Sequence, residues 1–141
     1  MDARKFLTGT VVGGIAFFFL GYLIYGMALM NFMSSHAGSA TGVQRNMEEF
    51  AWWALVVGNL SSAALLTYIF LKWANISSFG PGASAAGAVG FFAALGFDMT
   101  MFATSNIMDL TGICVDVIAF AGMNAVVGGV IGAVLGMGKK S

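Results

Sequence analysis

Residues 82–108 read GASAAGAVGFFAALGFDMTMFATSNIM, and this stretch decides the fold class. Its 27 residues contain one ionisable side chain, Asp98. An α-helix needs about 20 predominantly apolar residues to cross the hydrocarbon core of a bilayer. The stretch is therefore long enough for a transmembrane helix, and the alternation of apolar and polar residues typical of a membrane β-strand is absent.

Three further stretches share this character, at residues 6–33, 50–73 and 112–137. Apolar types make up 59% of the chain and Asp, Glu, Lys and Arg only 9%, whereas soluble domains carry roughly 25% charged residues. Because so few charges cannot cover a water-exposed surface, membrane lipid must be the solvent for most of it. The sequence predicts an all-α fold, one domain over residues 1–141 that forms a bundle of four transmembrane helices.

The basic residues predict the orientation of the bundle, because cytoplasmic loops carry an excess of Lys and Arg. Only Arg45 would lie on the outer side. The other five would lie together on the opposite side: Arg4, Lys5, Lys72, Lys139 and Lys140. We therefore expect both termini in the cytoplasm, and a multi-pass protein of the bacterial cytoplasmic (inner) membrane.

An internal similarity predicts a 2+2 repeat. Residues 17–22 of the first helix align with residues 92–97 of the third, at an offset of 75. Asn59 of the second helix aligns with Asn124 of the fourth, at an offset of 65. Two helix pairs in the same orientation would form a parallel repeat, with its axis along the membrane normal.

Polar residues inside the apolar stretches form the candidate site, because ionisable groups in a membrane are costly and commonly functional. The candidate polar cluster contains five residues: Asp98, Asn124, Asn59, Asp116 and Asn106. We expect a tight connection near Leu110 between the last two helices. Residues equally distant from that turn would lie at one depth, which pairs Asp98 with Asn124 near the middle of the bilayer, and Ser105 or Asn106 with Asp116.

Two interpretations of Asp98 remain open. In the structural one, a protonated Asp98 donates a hydrogen bond to Asn124 or Asn59 and holds two helices in register. In the functional one, Asp98 handles ions or protons in a cavity. The sequence favours the structural interpretation, because no buried cation accompanies the acid.

Small residues at four-residue spacing predict a close-packed seam between the last two helices, since small side chains let helix backbones approach. The seam residues of the third helix are Gly82, Ala86, Gly90 and Ala94. Those of the fourth helix are Gly128, Gly132 and Gly136.

Most chemistry-bearing residue types are scarce. The net charge is zero, so there is no basic surface for nucleic acid. His36 is the single histidine and Cys114 the single cysteine. Zinc sites and haem sites that need several such ligands are excluded within the chain. We expect no enzymatic activity, no cofactor and no metal.

The layout resembles small four-helix bacterial inner-membrane proteins of unknown function. The resemblance is carried by residues 20–26, LGYLIYG, and 128–132, GGVIG. It implies a four-helix bundle and supplies no activity or site residue. The sequence thus favours a non-catalytic assembly unit, either a homo-oligomer or an accessory subunit among other membrane protein subunits. The alternative is a small transporter or channel with a polar path at Asp98, Asn59 and Asn124.

Overall fold

The computed structural model describes residues 1–137, and apart from one isolated β-bridge its regular structure is entirely helical over that range. Four helices are long and apolar enough to cross a membrane. These observations confirm the prediction of an all-α fold with four potential membrane spans. Lys139 and Lys140, which contribute to the predicted orientation, lie outside the described residues.

The helices follow one another in the order α1 Ala3–Gly21, α2 Met30–Ser35, α3 Trp52–Ile69, α4 Phe79–Thr104 and α5 Leu110–Gly136. Two of them continue as π-helix, α1 over Tyr22–Ala28 and α3 over Phe70–Ala74. The first predicted helix, residues 6–33, is therefore not continuous. The last hydrogen bond of the π-helical segment runs from the Leu29 N–H to the Ile24 carbonyl, at 2.7 Å. The α-helix α2 begins at the next residue.

Side chains and backbone geometry explain where the helices begin and end. Asp2 accepts hydrogen bonds from the N–H groups of Arg4 and Lys5, and so caps α1. Asp109 caps α5 by accepting from the Gly112 N–H at 2.8 Å. Asn75, with a left-handed φ of 49°, ends the π-helical extension of α3, a conformation that asparagine adopts more readily than most residues.

Helix α5 is the centre of the bundle. It packs along α4 on one side and against α1 on another, while α1 also packs along α3. Contact between α3 and α5 is small, and contact between α3 and α4 is marginal or absent. Helix α4 is therefore attached to the rest of the described chain mainly through α5.

The buried core occupies one half of the bundle. Buried residues of α1 end at Phe17, those of α3 begin at Ala63, and those of α4 end at Ala94. Most buried residues of α5 lie from Met123 onward. We call this half, nearest the chain termini, the terminal half. The remainder is the loop half, nearest residues 36–51 and the 105–109 turn, where a small cluster around Ile113 is buried.

Candidate functional site

The register of the α4–α5 hairpin determines which polar residues meet. Gly90 lies against Asn124, and Ala86 lies against Gly128. Residue 107 is the midpoint of both pairs in the sequence. Gly90 and Asn124 are each 17 residues from it, and Ala86 and Gly128 are each 21 residues from it. Helix α4 ends at Thr104, so the turn comes before Leu110 rather than at it.

This register corrects the expected pairing of Asp98 with Asn124. When the centre of a hairpin lies elsewhere in the sequence than expected, the partner of each residue changes by twice that difference. Asp98 therefore lies beside Asp116, and each of the two is nine residues from residue 107. Both aspartates are six residues inside their helices, about 9 Å from the loop-side end at 1.5 Å per residue. They therefore lie nearer that end than the mid-bilayer position expected. Asn106 is in the turn, where its carbonyl accepts from the Ala40 N–H, and it does not pair with Asp116.

Three helices contribute to the acidic site. The carboxyls of Asp98 on α4 and Asp116 on α5 lie close enough to interact with each other. The hydroxyl of Tyr25, from the π-helical part of the first span, lies beside Asp116 and within electrostatic range of Asp98. All three residues are half-buried. We call this group the acid cluster.

The polar atoms of the acid cluster are not closed into a hydrogen-bonded network. Asp98 Oδ2 and the Tyr25 hydroxyl oxygen are buried, yet neither has a partner with good hydrogen-bond geometry among residues 1–137. The groups are thus near one another without being well bonded. Buried polar groups in proteins are nearly always paired, so two such atoms in one place require a physical explanation.

The two deep asparagines have other partners. The Asn124 side chain, 5% exposed, donates to the Phe120 carbonyl at 2.9 Å. The Asn59 side chain donates to the Leu55 carbonyl at 2.8 Å. Each amide is thus bonded within its own helix, as polar side chains in helices often are. The structure does not join Asp98, Asn59 and Asn124 into the expected polar path.

Sequence reasoning missed Tyr25. A tyrosine in an apolar stretch is ordinarily assigned to the aromatic belt at a membrane interface, and nothing in the spacing links residue 25 to residues 98 and 116. The one indication in the sequence was that Tyr25 lies 22 residues after the first residue of α1, still within the first apolar stretch. A phenolic hydroxyl there needs a polar neighbour.

The seam residues lie where α4 and α5 are closest. A Cβ on Gly128 would collide with the Ala86 Cβ and would lie 2.6 Å from the Gly82 carbonyl oxygen. A Cβ on Gly132 would collide with the Ser78 carbonyl oxygen, and one on Gly136 with that of Ser77. The four seam positions of α4 are all buried: Gly82, Ala86, Gly90 and Ala94.

A second set of close approaches, not anticipated from the sequence, attaches α1 to its neighbours. A Cβ on Gly9 would lie 2.7 Å from Thr67, and one on Gly14 would lie 2.7 Å from Leu60. At Gly13 it would lie 2.6 Å from Ile131 of α5. The four-residue spacing of Gly9 and Gly13 was the available signal, of the same kind that predicted the α4–α5 seam.

The loop-side surface has its own polar connection. His36 Nδ1 and Asp109 Oδ2 are 2.8 Å apart. Backbone bonds run beside them, from Gly38 N–H to the Ile107 carbonyl and from Asp109 N–H to the His36 carbonyl. The hydrogen bond from the Gly112 N–H, and next that of His36, hold the pKa of Asp109 below its ordinary value. This connection joins the first half of the chain to the α4–α5 turn.

The available ligand atoms limit the chemistry of the acid cluster. Among the described residues, no three or more His, Cys, Asp or Glu side chains come together as a potential metal site. The acid cluster supplies two carboxyls and one hydroxyl, a set that can hold and exchange a proton. Comparison with protein-family models, curated proteins and solved structures finds no match to the chain. Its function must therefore be argued from the chemistry of the site.

Proposed function

We propose that this chain is a small, non-catalytic membrane transporter or channel that binds and releases a proton at the acid cluster. One observation carries the proposal. Two carboxyls on neighbouring potential membrane spans lie within interaction distance, beside a buried hydroxyl that has no hydrogen-bond partner among residues 1–137. Ionisable residues at such positions are rare and typically belong to ion or proton pathways.

Electrostatics favours a proton as the ligand. Two neighbouring carboxylates repel each other, and the repulsion grows as the local dielectric constant falls. A single shared proton removes one negative charge and supplies a donor for the remaining acceptor. A calcium ion prefers six to eight oxygen ligands, more than two carboxyls and one hydroxyl provide.

The position of the acid cluster supports coupling between proton binding and helix movement. It lies just beyond Ala94, where the buried residues of α4 end. Because α4 is held mainly by α5, its loop half can shift relative to the first span at little packing cost. Tyr25 also lies in a π-helical segment, a feature frequently found at functional sites. A proton on Asp98 or Asp116 would change the force between these helices.

The structural interpretation of Asp98 has lost its main support. That interpretation needed Asn124 or Asn59 as the acceptor for a protonated Asp98, whereas the hairpin register places Asn124 against Gly90 and Asp116 beside Asp98. The polar path that we propose therefore replaces the two asparagines with Asp116 and Tyr25.

The test is proton flux through protein reconstituted in liposomes that contain a pH-sensitive dye. Asp98→Asn and Asp116→Asn should each abolish flux driven by a potassium diffusion potential. Tyr25→Phe, which keeps both carboxyls, should reduce it. The matched control is Glu48→Gln, an exposed acid between the first two spans. The proposal is wrong if correctly folded Asp98→Asn and Asp116→Asn proteins conduct protons like the wild type.

A specific observation also favours the second candidate, an assembly unit. Helix α4 carries small residues on two opposite faces, and α5 fills one of them. The other face, made of Gly80, Ser84 and Ala88, is exposed. A second copy of this chain, or another membrane protein subunit, would find there the same four-residue spacing that α5 uses.

Substitution of the exposed face tests this second candidate. Ser84→Leu should lower the mass of the detergent-solubilised particle measured by light scattering, because it blocks close approach of a partner helix. The control is Gly122→Leu, at an exposed position of α5 where an added Cβ would meet no atom of another part of residues 1–137 within 4 Å. Equal masses for wild type and Ser84→Leu would exclude association through this face.

We further propose that both termini are cytoplasmic, in a bacterial inner membrane, and that the two helix pairs descend from a duplication. The pairing of α1 with α3 and of α4 with α5 supports the repeat. The packing of α1 against α5 has no counterpart of similar extent between α3 and α4, so the copies have diverged. A cysteine placed at position 36 should react with impermeant reagents from outside the cell only.

A further inference from the structure

We infer that a groove along the loop half of α3 binds an anionic phospholipid, with the phosphate at Arg45 and an acyl chain against the helix. The juxtaposition of a free guanidinium with an apolar groove carries this inference. It is independent of proton binding, since none of the groove residues belongs to the acid cluster.

The groove has the shape of a lipid site. It is open, has a volume of about 660 Å³, and runs from Arg45 and Phe50 past Trp53 and Gly58 to Asn59. Outside the backbone of its own helix turn, no atom of residues 1–137 lies within 4 Å of a Cβ added to Gly58, so the missing side chain leaves room beside the helix. Small-molecule sites commonly occupy about 300–1,000 Å³.

A second groove extends the first one. It has a volume of about 210 Å³, shares Asn59 with the first groove, and passes between α1 and α3 beside Phe18 to Gly14. Its lining is apolar apart from Asn59, whose amide donates to its own helix. The two grooves together give a path from a charged end at the membrane surface to an apolar end within the bundle, the order of groups in a phospholipid.

The charge at Arg45 distinguishes lipid from a partner helix. Arg45 makes no ion pair with any acid in the described part of the chain, where the one ion pair joins His36 and Asp109. A helix packed over the groove would bury this guanidinium without a counter-charge, which is expensive. A lipid phosphate supplies the counter-charge, and guanidinium binds phosphate through paired hydrogen bonds. Trp53, 74% exposed, stands beside it, as tryptophan does at membrane interfaces.

Tryptophan fluorescence can report occupancy of the groove directly. With Trp52→Phe and Trp73→Phe as the background, Trp53 is the remaining tryptophan. The protein is placed in phosphatidylcholine bilayers that contain equal fractions of either brominated phosphatidylglycerol or brominated phosphatidylcholine. Brominated phosphatidylglycerol should quench Trp53 more strongly, and the preference should correspond to roughly tenfold tighter binding, as one charge-assisted contact would give.

Variants distinguish the contribution of the lipid headgroup from that of the acyl chain. Arg45→Gln should remove the preference for the anionic lipid, whereas Arg45→Lys should keep part of it. Lys72→Gln, which changes a cation at the other end of the same span, should leave it unchanged. Gly58→Leu should weaken quenching by both brominated lipids because it fills the groove. Circular dichroism confirms that each variant is folded.

Three results would overturn the inference. Equal quenching by the two brominated lipids would show that Arg45 selects no headgroup. Loss of the preference in the presence of inorganic phosphate would show a site for a free anion. Protection of Trp53 from both lipids, together with a dimeric mass, would show that a second copy of the chain covers the groove.

Discussion

The terminal half and the loop half of this bundle are built by the same helices in opposite ways. In the terminal half, glycines and alanines bring backbones together, and Val127 and Ile131 are fully buried between them. In the loop half, two carboxyls from different helices come together without a closed hydrogen-bonded network among residues 1–137, and open grooves run along α3. The helices are thus packed closely in the terminal half and less closely in the loop half, where the acid cluster lies.

Packing physics explains this division. Helices in lipid gain little from the hydrophobic effect, so they associate through dispersion contacts, which need close backbones. The terminal half supplies such contacts at the seam glycines. At the level of Asp98 and Asp116, residues with polar side chains take the place of the seam glycines. A region with fewer packed contacts opens at lower free energy and can respond to a change of charge.

The largest effect should come from adding one methyl group to the terminal half. In Gly128→Ala the new Cβ would collide with Ala86, and overpacking of this kind costs about 1–3 kcal/mol. Gly122→Ala on the same helix meets no atom of another part of residues 1–137 within 4 Å. It should be neutral or slightly stabilising, because alanine favours helix by about 0.5–1 kcal/mol over glycine. Unfolding in mixed detergent–SDS micelles measures both variants.

The contrast between the two alanine variants also tests the comparison of the halves. Equal unfolding free energies for Gly128→Ala and Gly122→Ala would mean that the seam does not hold the helices together. A loss at both positions would place tight packing on a face that is exposed in the single chain, and would therefore indicate an interface with another subunit.

The sequence predicted the terminal half better than the loop half, for physical reasons. Length and hydropathy define spans directly, and the spacing of Gly128, Gly132 and Gly136 reflects a helix-packing rule that depends on local sequence alone. The pairing of Asp98 depends on the end of α4, and a misplaced turn moves every partner across the hairpin. Tyr25 reaches the acid cluster through a π-helical segment, and that change of helix type leaves no periodic pattern in the sequence.

A smaller effect should come from Thr67, which with Thr10 is one of two threonines in the terminal half whose buried hydroxyl lacks a hydrogen-bond partner among residues 1–137. Thr67 is 0% exposed. Thr67→Val keeps the shape and removes the unpaired group, so it should stabilise the protein by about 1 kcal/mol. The control is Thr100→Val in the loop half, where the exposed hydroxyl donates to the Gly96 carbonyl at 2.8 Å. Destabilisation by Thr67→Val would show that this hydroxyl has a partner in the membrane.

The smallest effect should be a pH dependence of the stability that arises at the surface of the loop half. There His36, which precedes α3, contacts Asp109 in the turn between α4 and α5. The pKa of Asp109 is lowered in the folded protein, first by the Gly112 N–H and then by His36. A lowered folded-state pKa means that the ionised group stabilises the fold above its ordinary pKa. This stability is lost as the pH falls through the lowered pKa, at a pH below about 4.

The Asp109→Asn variant isolates that contribution. The Asn side chain keeps an acceptor for the Gly112 N–H but carries no charge, so the thermal stability of the variant should be below that of wild type at pH 7. The gap should shrink as the pH falls below the ordinary pKa of an aspartate, because the unfolded wild type then takes up a proton that the folded protein still resists. His36→Gln should shrink the pH-dependent gap without abolishing it, because the hydrogen bond from Gly112 is the larger cause of the lowered pKa. A gap between wild type and Asp109→Asn that stays constant from pH 7 to pH 3 would show that the charge of Asp109 contributes nothing. The connection at the loop-side surface would then rest on its backbone hydrogen bonds alone, and the loop half would be held more weakly than we infer.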